Sequence, residues 1–210
     1  MEVRAMHRRG FTLLEVMMVV AIMTIVVGTL TGLALGIGDT LGLKNIQANN
    51  ADEARRLMQD SSRMLRQARR SSINTAALPA ASISFRMPKD INGNGVAVDQ
   101  GGNIELGPVL TISRDMTDVN GDGRTARQVV LREGALFRVL ANDVSPNSEN
   151  PGSDGILSAA EDTNGNGRLD TGLLFRSAGN GIEIIVQTQG ITRRGRPITY
   201  ELREIVVPRN

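Results

Sequence analysis

At 210 residues the chain has room for one modest globular head beside an anchor, and a formal charge of +2 gives it no bulk attraction to an acidic partner. Cysteine is absent, which excludes a disulfide framework, a thiol nucleophile and a thiolate metal site. Phe11, Phe85, Phe137, Phe175 and Tyr200 are the whole aromatic set, so Ile, Leu, Val and Met must fill the core.

The chain opens with a short basic stretch that runs into Arg8-Arg9-Gly10-Phe11-Thr12-Leu13-Leu14-Glu15-Val16. From Phe11 to Gly38 the only ionisable side chain is Glu15. About 20 apolar residues at 1.5 Å of rise each cross a bilayer, so residues 11–38 read as a transmembrane helix. An ordinary secretory signal has an apolar region of only about 7–15 residues and a small-x-small cleavage site, and Ala34-Leu35-Gly36 is a poor one. A carboxylate inside such a run is costly unless a cation meets it, which marks Glu15 as functional rather than an accident in a plain anchor. Arg8 and Arg9 place that end of the segment in the cytoplasm and the remainder of the chain in the periplasm.

Gly10-Phe-Thr-Leu-Leu-Glu15, with the basic pair before it and the apolar run after it, resembles the class III leader of type IV prepilins and pseudopilins. The resemblance covers roughly the first 40 residues. It implies removal of residues 1–10 by a prepilin peptidase cutting between Gly10 and Phe11, and N-methylation of the new terminus at Phe11. It implies that Glu15 pairs with the terminal amine of a neighbouring subunit during filament assembly. Its expected partners are the peptidase, other pilin or pseudopilin subunits and inner-membrane lipid. Loss of Arg4, Arg8 and Arg9 together with Glu2 would leave the processed chain near neutral. The single histidine, His7, lies in that leader, and no nucleophile-plus-base constellation is visible, so the expected role is not enzymatic and no catalytic residue is assigned.

Further along the helix, Gly28, Gly32 and Gly36 form a small-xxx-small face suited to close helix approach in lipid, or simply soften the helix. Residues 39–75 are its amphipathic continuation, periodic over 39–72. At 100° per residue Ala54, Leu57, Met58, Ser61, Met64, Leu65 and Ala68 share one arc that should pack under a sheet. Arg55, Arg56, Arg63, Arg66, Arg69 and Arg70 share the opposite arc. Such a stripe can bind phosphates, but no interleaved aromatics are present to stack bases, which weighs against nucleic acid. The plainer reading is a solvated or filament-facing stripe that meets carboxylates of neighbouring subunits.

Pro79 closes the helical region, and the pattern turns to period two over residues 76–210. Candidate strands are Ser82–Met87, Asn103–Ser113, Arg127–Arg132, Ala135–Leu140, Gly172–Arg176, Ile182–Thr188 and Ile198–Val207. Glu133-Gly134 predicts a tight turn and Gly190 to Pro197 a longer one. One long helix followed by an antiparallel meander is an α+β architecture, and it matches the pilin fold. Leu131–Arg138, Ile182–Val186 and the Val-Val-Pro-Arg-Asn210 ending are similar to minor pilins of the pilus-tip class and to J-type minor pseudopilins of type II secretion. Both favour a minor subunit.

Three loops share one spelling: Asp90-Ile-Asn92-Gly-Asn94-Gly95, Asp118-Val-Asn120-Gly-Asp122-Gly123 and Asp162-Thr-Asn164-Gly-Asn166-Gly167. Oxygen side chains at positions 1, 3 and 5 with glycine at 6 resemble the first half of an EF-type calcium loop, as in EF-hand, dockerin and thrombospondin-type repeats. The third loop is the second copy of a repeat: residues 150–161 align without gaps onto 162–173. The first copy offers Asn150, Asp154, Ser158 and Glu161; the second offers Asp162, Asn164, Asn166 and Asp170. Each copy lacks ligands the other has, so calcium shared within the polar insertion 141–171 is the leading cofactor expectation. The Asp90 and Asp118 loops are weaker candidates, the first with Asp99 as a late distal acid. Asx-rich turns without metal are the alternative. The function expected is a structural subunit of a type IV pilus or type II secretion filament; the alternative is a filament-tip binding module, an adhesin or DNA receptor, with calcium-stabilised loops.

Overall fold

In the computed structural model, residues 12–119, 121–146, 149–150, 157–163 and 165–209 are described, without the side chain of residue 39. The chain divides into two units, Met1–Lys44 and Asn45–Asn210. A single helix, α1, spans Leu13–Gln67.

Thr12 caps the start of α1: its Oγ1 accepts the Glu15 amide at 3.3 Å and its carbonyl accepts the Val16 amide at 3.2 Å. Glu15 therefore occupies the third helical position, where the positive end of the helix dipole favours a carboxylate. Along the apolar stretch the threonine hydroxyls donate back to carbonyls one turn earlier, Thr24 to Val20, Thr31 to Val27 and Thr40 to Gly36. The segment thus leaves few polar groups open on a surface whose Leu, Ile, Val and Met side chains are exposed. The helix is long and apolar enough to cross a membrane. A Cβ at Gly28, Gly32 or Gly36 would touch nothing within 4 Å.

The head, residues 45–210, is built on the predicted arc of α1. Ala54, Leu57, Met58, Ser61, Met64, Leu65 and Ala68 are all buried. The helix ends at Gln67, short of the predicted 72, because the backbone finds other partners there: the Arg69 amide donates to the Arg86 carbonyl at 3.1 Å and the Arg70 amide to the Arg209 carbonyl at 2.7 Å. Arg69 and Arg70 therefore leave the helical arc to which the periodicity assigned them.

The strands are β1 (Ser82–Phe85), β2 (Leu110–Arg114), β3 (Val129–Glu133), β4 (Leu136–Ala141), β5 (Leu173–Ala178), β6 (Gly181–Ile191) and β7 (Pro197–Val206). All seven predicted strands are present with shifted ends. The largest change is at Asn103–Ser113, where only Leu110–Arg114 is a strand; residues before it make isolated bridges, Val98 to Ile104 and Pro88 to Leu106. Pro108 has no amide to continue the ladder. The turn between β6 and β7 is also shorter than predicted, residues 192–196.

Every pairing between the seven strands is antiparallel, but the meander splits into two sheets, β1-β2-β3-β4 and β5-β6-β7. The 142–172 connection is far too long for a hairpin, so β4 and β5 do not become neighbours. The sheets meet instead at Ala80 and Phe175, whose amides and carbonyls exchange bonds of 2.9 and 2.8 Å, and at the Val144–Thr188 bridge. Ile83, Phe85, Ile112 and Leu140 from one sheet and Leu173, Phe175, Ile184 and Val186 from the other form one cluster with the α1 arc. β6 is buried along Gly181–Thr188 on both faces. Its outer face lies under the insertion, where the Gln187 Nε2 donates to the Leu169 carbonyl at 3.3 Å and the Ser145 amide donates to the Gln187 carbonyl at 2.8 Å.

Phe175 is fully buried where the two sheets join. Phe175→Ala should cost about 3–5 kcal/mol of head stability. Urea unfolding of the full chain in detergent, compared with an exposed-site control such as Thr199→Ala, measures it; a loss as small as the control's would refute the shared core.

Candidate functional site

The three Asx-Gly loops fold alike. In each, the first aspartate turns its carboxylate back over the loop. Asp90 accepts the amides of Asn94 at 3.3 Å and Gly95 at 2.8 Å. Asp118 accepts those of Asp122 at 2.9 Å and Gly123 at 3.0 Å. Asp162 accepts those of Asn166 at 3.1 Å and Gly167 at 2.7 Å. The fifth side chain repeats the move two residues on, Asn94 to Val96, Asp122 to Arg124 and Asn166 to Arg168, at 2.7–2.9 Å. The glycines at positions 4 and 6 all have positive φ, between 68° and 85°, which explains why glycine recurs there.

A second feature recurs that the spelling does not contain. The amide at position 2 of each loop donates to a carboxylate from outside it: Ile91 to Glu105 at 2.7 Å, Val119 to Asp115 at 2.9 Å and Thr163 to Glu149 at 2.9 Å. Asp115 and Glu149 are buried, 1% and 3% exposed. Glu149 also accepts the Thr163 hydroxyl at 2.7 Å and the Asp170 amide at 2.8 Å, while its own amide donates to the Asp170 carbonyl at 3.0 Å. Sequence reasoning missed all three acids. They stand after, just before and well before their loops, so no spacing could have signalled them.

Of the expected ligands in the insertion, Asp162, Asn166 and Asp170 come together, the Asn166 side-chain amide donating to Asp170 Oδ2 at 2.6 Å. Glu161 closes a separate turn, accepting the Ser158 amide and hydroxyl at 2.9 and 2.7 Å. Asn150 is exposed. Asp154, Asn164 and Asn120 lie outside the described residues, as do Gly10 and Phe11. In the first loop Asn92 bonds Glu105, and Asp99 forms its own turn with Gly101 and Asn103. The Asn103 amide and side chain, then the Gly101 amide, hold the Asp99 carboxyl below the usual carboxylate range. The donors are carboxylate and amide oxygens, the chemistry of a hard cation. Among the described residues no group of three or more acids or histidines converges on one point.

The arginine arc of α1 is matched by carboxylates of the same chain rather than left for a neighbour. Arg55 pairs with Asp52 at 3.7 Å, Arg56 with Glu53 at 3.9 Å and Arg63 with Asp60 at 3.4 Å. Arg66 reaches Glu204 on β7 at 2.6 Å, and Arg138 on β4 shares Asp60 at 3.4 Å. Each exposed pair contributes little stability, about 0–1 kcal/mol, but together they weaken the field a polyanion would need. Arg70 is turned to the Asn180 carbonyl at 2.9 Å. Arg114 is buried with its Nη2 on the Ala126 carbonyl at 2.9 Å, and burial pushes its guanidinium below its usual range.

The family described as prokaryotic N-terminal methylation motif matches residues 5–31. The match spans the basic pair, the Gly10–Phe11 junction, Glu15 and the first half of the apolar run, and it supports a prepilin-type class III leader. No curated protein and no solved structure matches the chain significantly.

Removing the Glu149 carboxylate would strand the Thr163 and Asp170 amides, a cost of about 1–3 kcal/mol. Glu149→Ala should lower the urea midpoint accordingly and speed hydrogen exchange at those two amides. Unchanged exchange there would show that the clamp does not hold the insertion.

Proposed function

We propose that the chain is a minor pilin or pseudopilin, cut by prepilin peptidase between Gly10 and Phe11, N-methylated at Phe11, and assembled into a type IV pilus or type II secretion filament. The observation that carries this is the methylation motif over residues 5–31 leading into a capped helix whose apolar stretch up to Gly38 has one carboxylate, Glu15. A prepilin-type leader of this kind supports a structural subunit rather than an enzyme, with membrane anchoring before filament incorporation. In this reading the head faces the periplasm, and Glu15 waits in the bilayer for the terminal ammonium of the next subunit. Sheared filaments from cells expressing the chain test it by intact mass. The expected species begins at methylated Phe11 and is scarce beside the main subunit. Glu15→Val should still be cut and methylated but lose incorporation by at least about tenfold, equivalent to about 1.4 kcal/mol of lost pairing. A chain that still begins at Met1, or a Glu15→Val variant that assembles normally, would overturn the reading.

Calcium is the cation we propose for the Asx-Gly loops. Asp90, Asp118 and Asp162 with their fifth-position partners, and Glu105, Asp115 and Glu149 beside them, would supply the oxygens. A weak site of about 10⁻⁴–10⁻³ M would still fill outside the cell. The full chain in detergent should melt higher in millimolar calcium than in chelator, and Asp162→Asn should shrink that difference. Equal melting temperatures would leave the loops as metal-free turns.

The second reading, a filament-tip binding module, draws on one feature. Leu136 is 73% and Phe137 41% exposed on the edge strand β4, beside an open groove lined by Met64, Met87 and Leu131. Leu136→Asp should leave assembly intact and abolish surface attachment if this reading holds.

A further inference from the structure

Three arginines fall within four residues at the β6–β7 turn: Arg193, Arg194 and Arg196, all exposed. The turn is closed tightly. The Thr192 amide donates to the Arg196 carbonyl at 2.9 Å, the Gly195 amide to the Thr192 carbonyl at 2.9 Å, and the Arg196 amide to Thr192 Oγ1 at 2.9 Å. Gly195 takes φ +74°, a conformation glycine adopts without strain. Closure spends the backbone polar groups internally and leaves the side chains to point outward. Arg193 and Arg196 have no carboxylate partner among the described residues. Ile191, 55% exposed, adds an apolar side chain to the same tip.

More positive charge stands beside it. Arg124 and Arg127 line an open pocket with Ile46, Gly190 and Ile191, and Arg127 is fixed by its Nη2 on the Gln189 carbonyl at 2.8 Å. Asp143 is the one carboxylate in that lining. The contrast with the arginines of α1 decides the matter. Those meet neighbouring acids, whereas Arg193, Arg196, Arg124 and Arg127 form no ion pair with a carboxylate among the described residues.

The turn also has a defined place on the head. β7 runs alongside the helix in the same direction: Asn50 donates to the Ile198 carbonyl at 2.9 Å, Arg66 meets Glu204 at 2.6 Å, and the Arg209 amide donates to the Ala68 carbonyl at 3.1 Å. Gly190 backs onto Ile46 and Asn50 so closely that a Cβ there would collide with them. The turn therefore lies at the end of the head where Asn45 brings the chain in from the apolar segment. At about 3.3 Å per residue it extends roughly 13 Å past Gly190. Only residues 39–45 separate the apolar run from Ile46 in the sequence.

We propose that the β6–β7 turn is a contact site for anionic phospholipid headgroups, used while the apolar segment is embedded in a bilayer. This rests on reading residues 11–38 as a membrane anchor. The chemistry fits: guanidinium groups bind phosphate bidentately, several together are drawn to an anionic surface, and a flanking isoleucine favours the interface. The field of such a surface decays within about 8–10 Å, so only groups at the anchor end of the head can use it. The contact would hold the head down on the membrane until filament assembly extracts it.

The chain has no cysteine, so Pro197→Cys offers a unique point for a nitroxide at the exposed base of the turn. The labelled full chain is reconstituted into vesicles of phosphatidylcholine, with or without phosphatidylglycerol, and its collisions with a nickel-chelating headgroup are measured. Flotation with the vesicles reads the anchor independently of the turn. With the chain floating, the expected result is a collision signal that rises at least about fivefold on adding phosphatidylglycerol and falls back in high salt and in the R193Q/R194Q/R196Q variant. A floating chain whose label ignores lipid charge, salt and the three substitutions overturns the proposal. So does a signal that instead tracks protein density through dipolar coupling between labels, which would assign the turn to an acidic face of a second copy. A chain that does not float refutes the anchor, and with it this contact.

Discussion

The buried arc of α1 is the constraint on which the head depends. The two sheets touch each other directly, among the described residues, through little more than the Ala80–Phe175 and Val144–Thr188 bridges. What makes them one body is that both send side chains against the same strip of helix. The strip is shaped for that task. Ala54, Ser61 and Ala68 recur at intervals of seven as small buried positions, while Leu57, Met58, Met64 and Leu65 supply the apolar bulk between them. With Phe85 and Phe175 as the only fully buried aromatics among the described residues, the apolar payload per residue is modest, so the cluster must be continuous to suffice. Ser61 is fully buried with no partner for its hydroxyl among the described residues, which costs the core some stability.

A head without disulfides must also restrain its connections. The Asx-Gly loops do this with backbone amides and carboxylates alone. Each first-position aspartate gathers amides that would otherwise face water, and each outside acid fastens the loop to the body by the amide at position 2. Asp115 lies at the end of β2, and Glu149 ties the insertion that covers the outer face of β6. Loop order and core burial are thereby coupled, since the Gln187 side chain on β6 reaches the Leu169 carbonyl and Asp170 Oδ1.

What was legible in the sequence follows from the range of the interactions involved. The α1 arc and the seven strands were readable because periods of 3.6 and 2 are written in neighbouring residues. The loops were readable because positive φ demands glycine at fixed positions. Glu105, Asp115 and Glu149 were not, because no offset from the loop recurs: Asp115 acts locally from just before its loop, whereas Glu105 and Glu149 reach their amides from further along the chain on opposite sides. The end of α1 was misread for a related reason: Arg69 and Arg70 continue the helical pattern, but the carbonyls of Arg86 and Arg209 take their amides. The over-long strand at Asn103–Ser113 shows the converse error. Ile104 and Leu106 carry the right alternation, yet the ladder needs an amide that Pro108 lacks.

Charge placement separates the two basic surfaces of the head more sharply than arginine count does. On α1 the acids stand three residues before Arg55, Arg56 and Arg63, and β7 supplies Glu204 for Arg66. In the filament proposed above this would matter, because neighbouring helices would otherwise repel through their arginines. At the β6–β7 turn Arg193 and Arg196 meet no carboxylate among the described residues, although β7 itself has Glu201 and Glu204. Glu201 instead takes Arg203, and Glu204 is spent on Arg66 and the Ser62 hydroxyl. The acids of β7 are thus committed away from the turn. Neutrality where subunits would crowd and charge where a surface would be met is the division of labour that this arrangement supports.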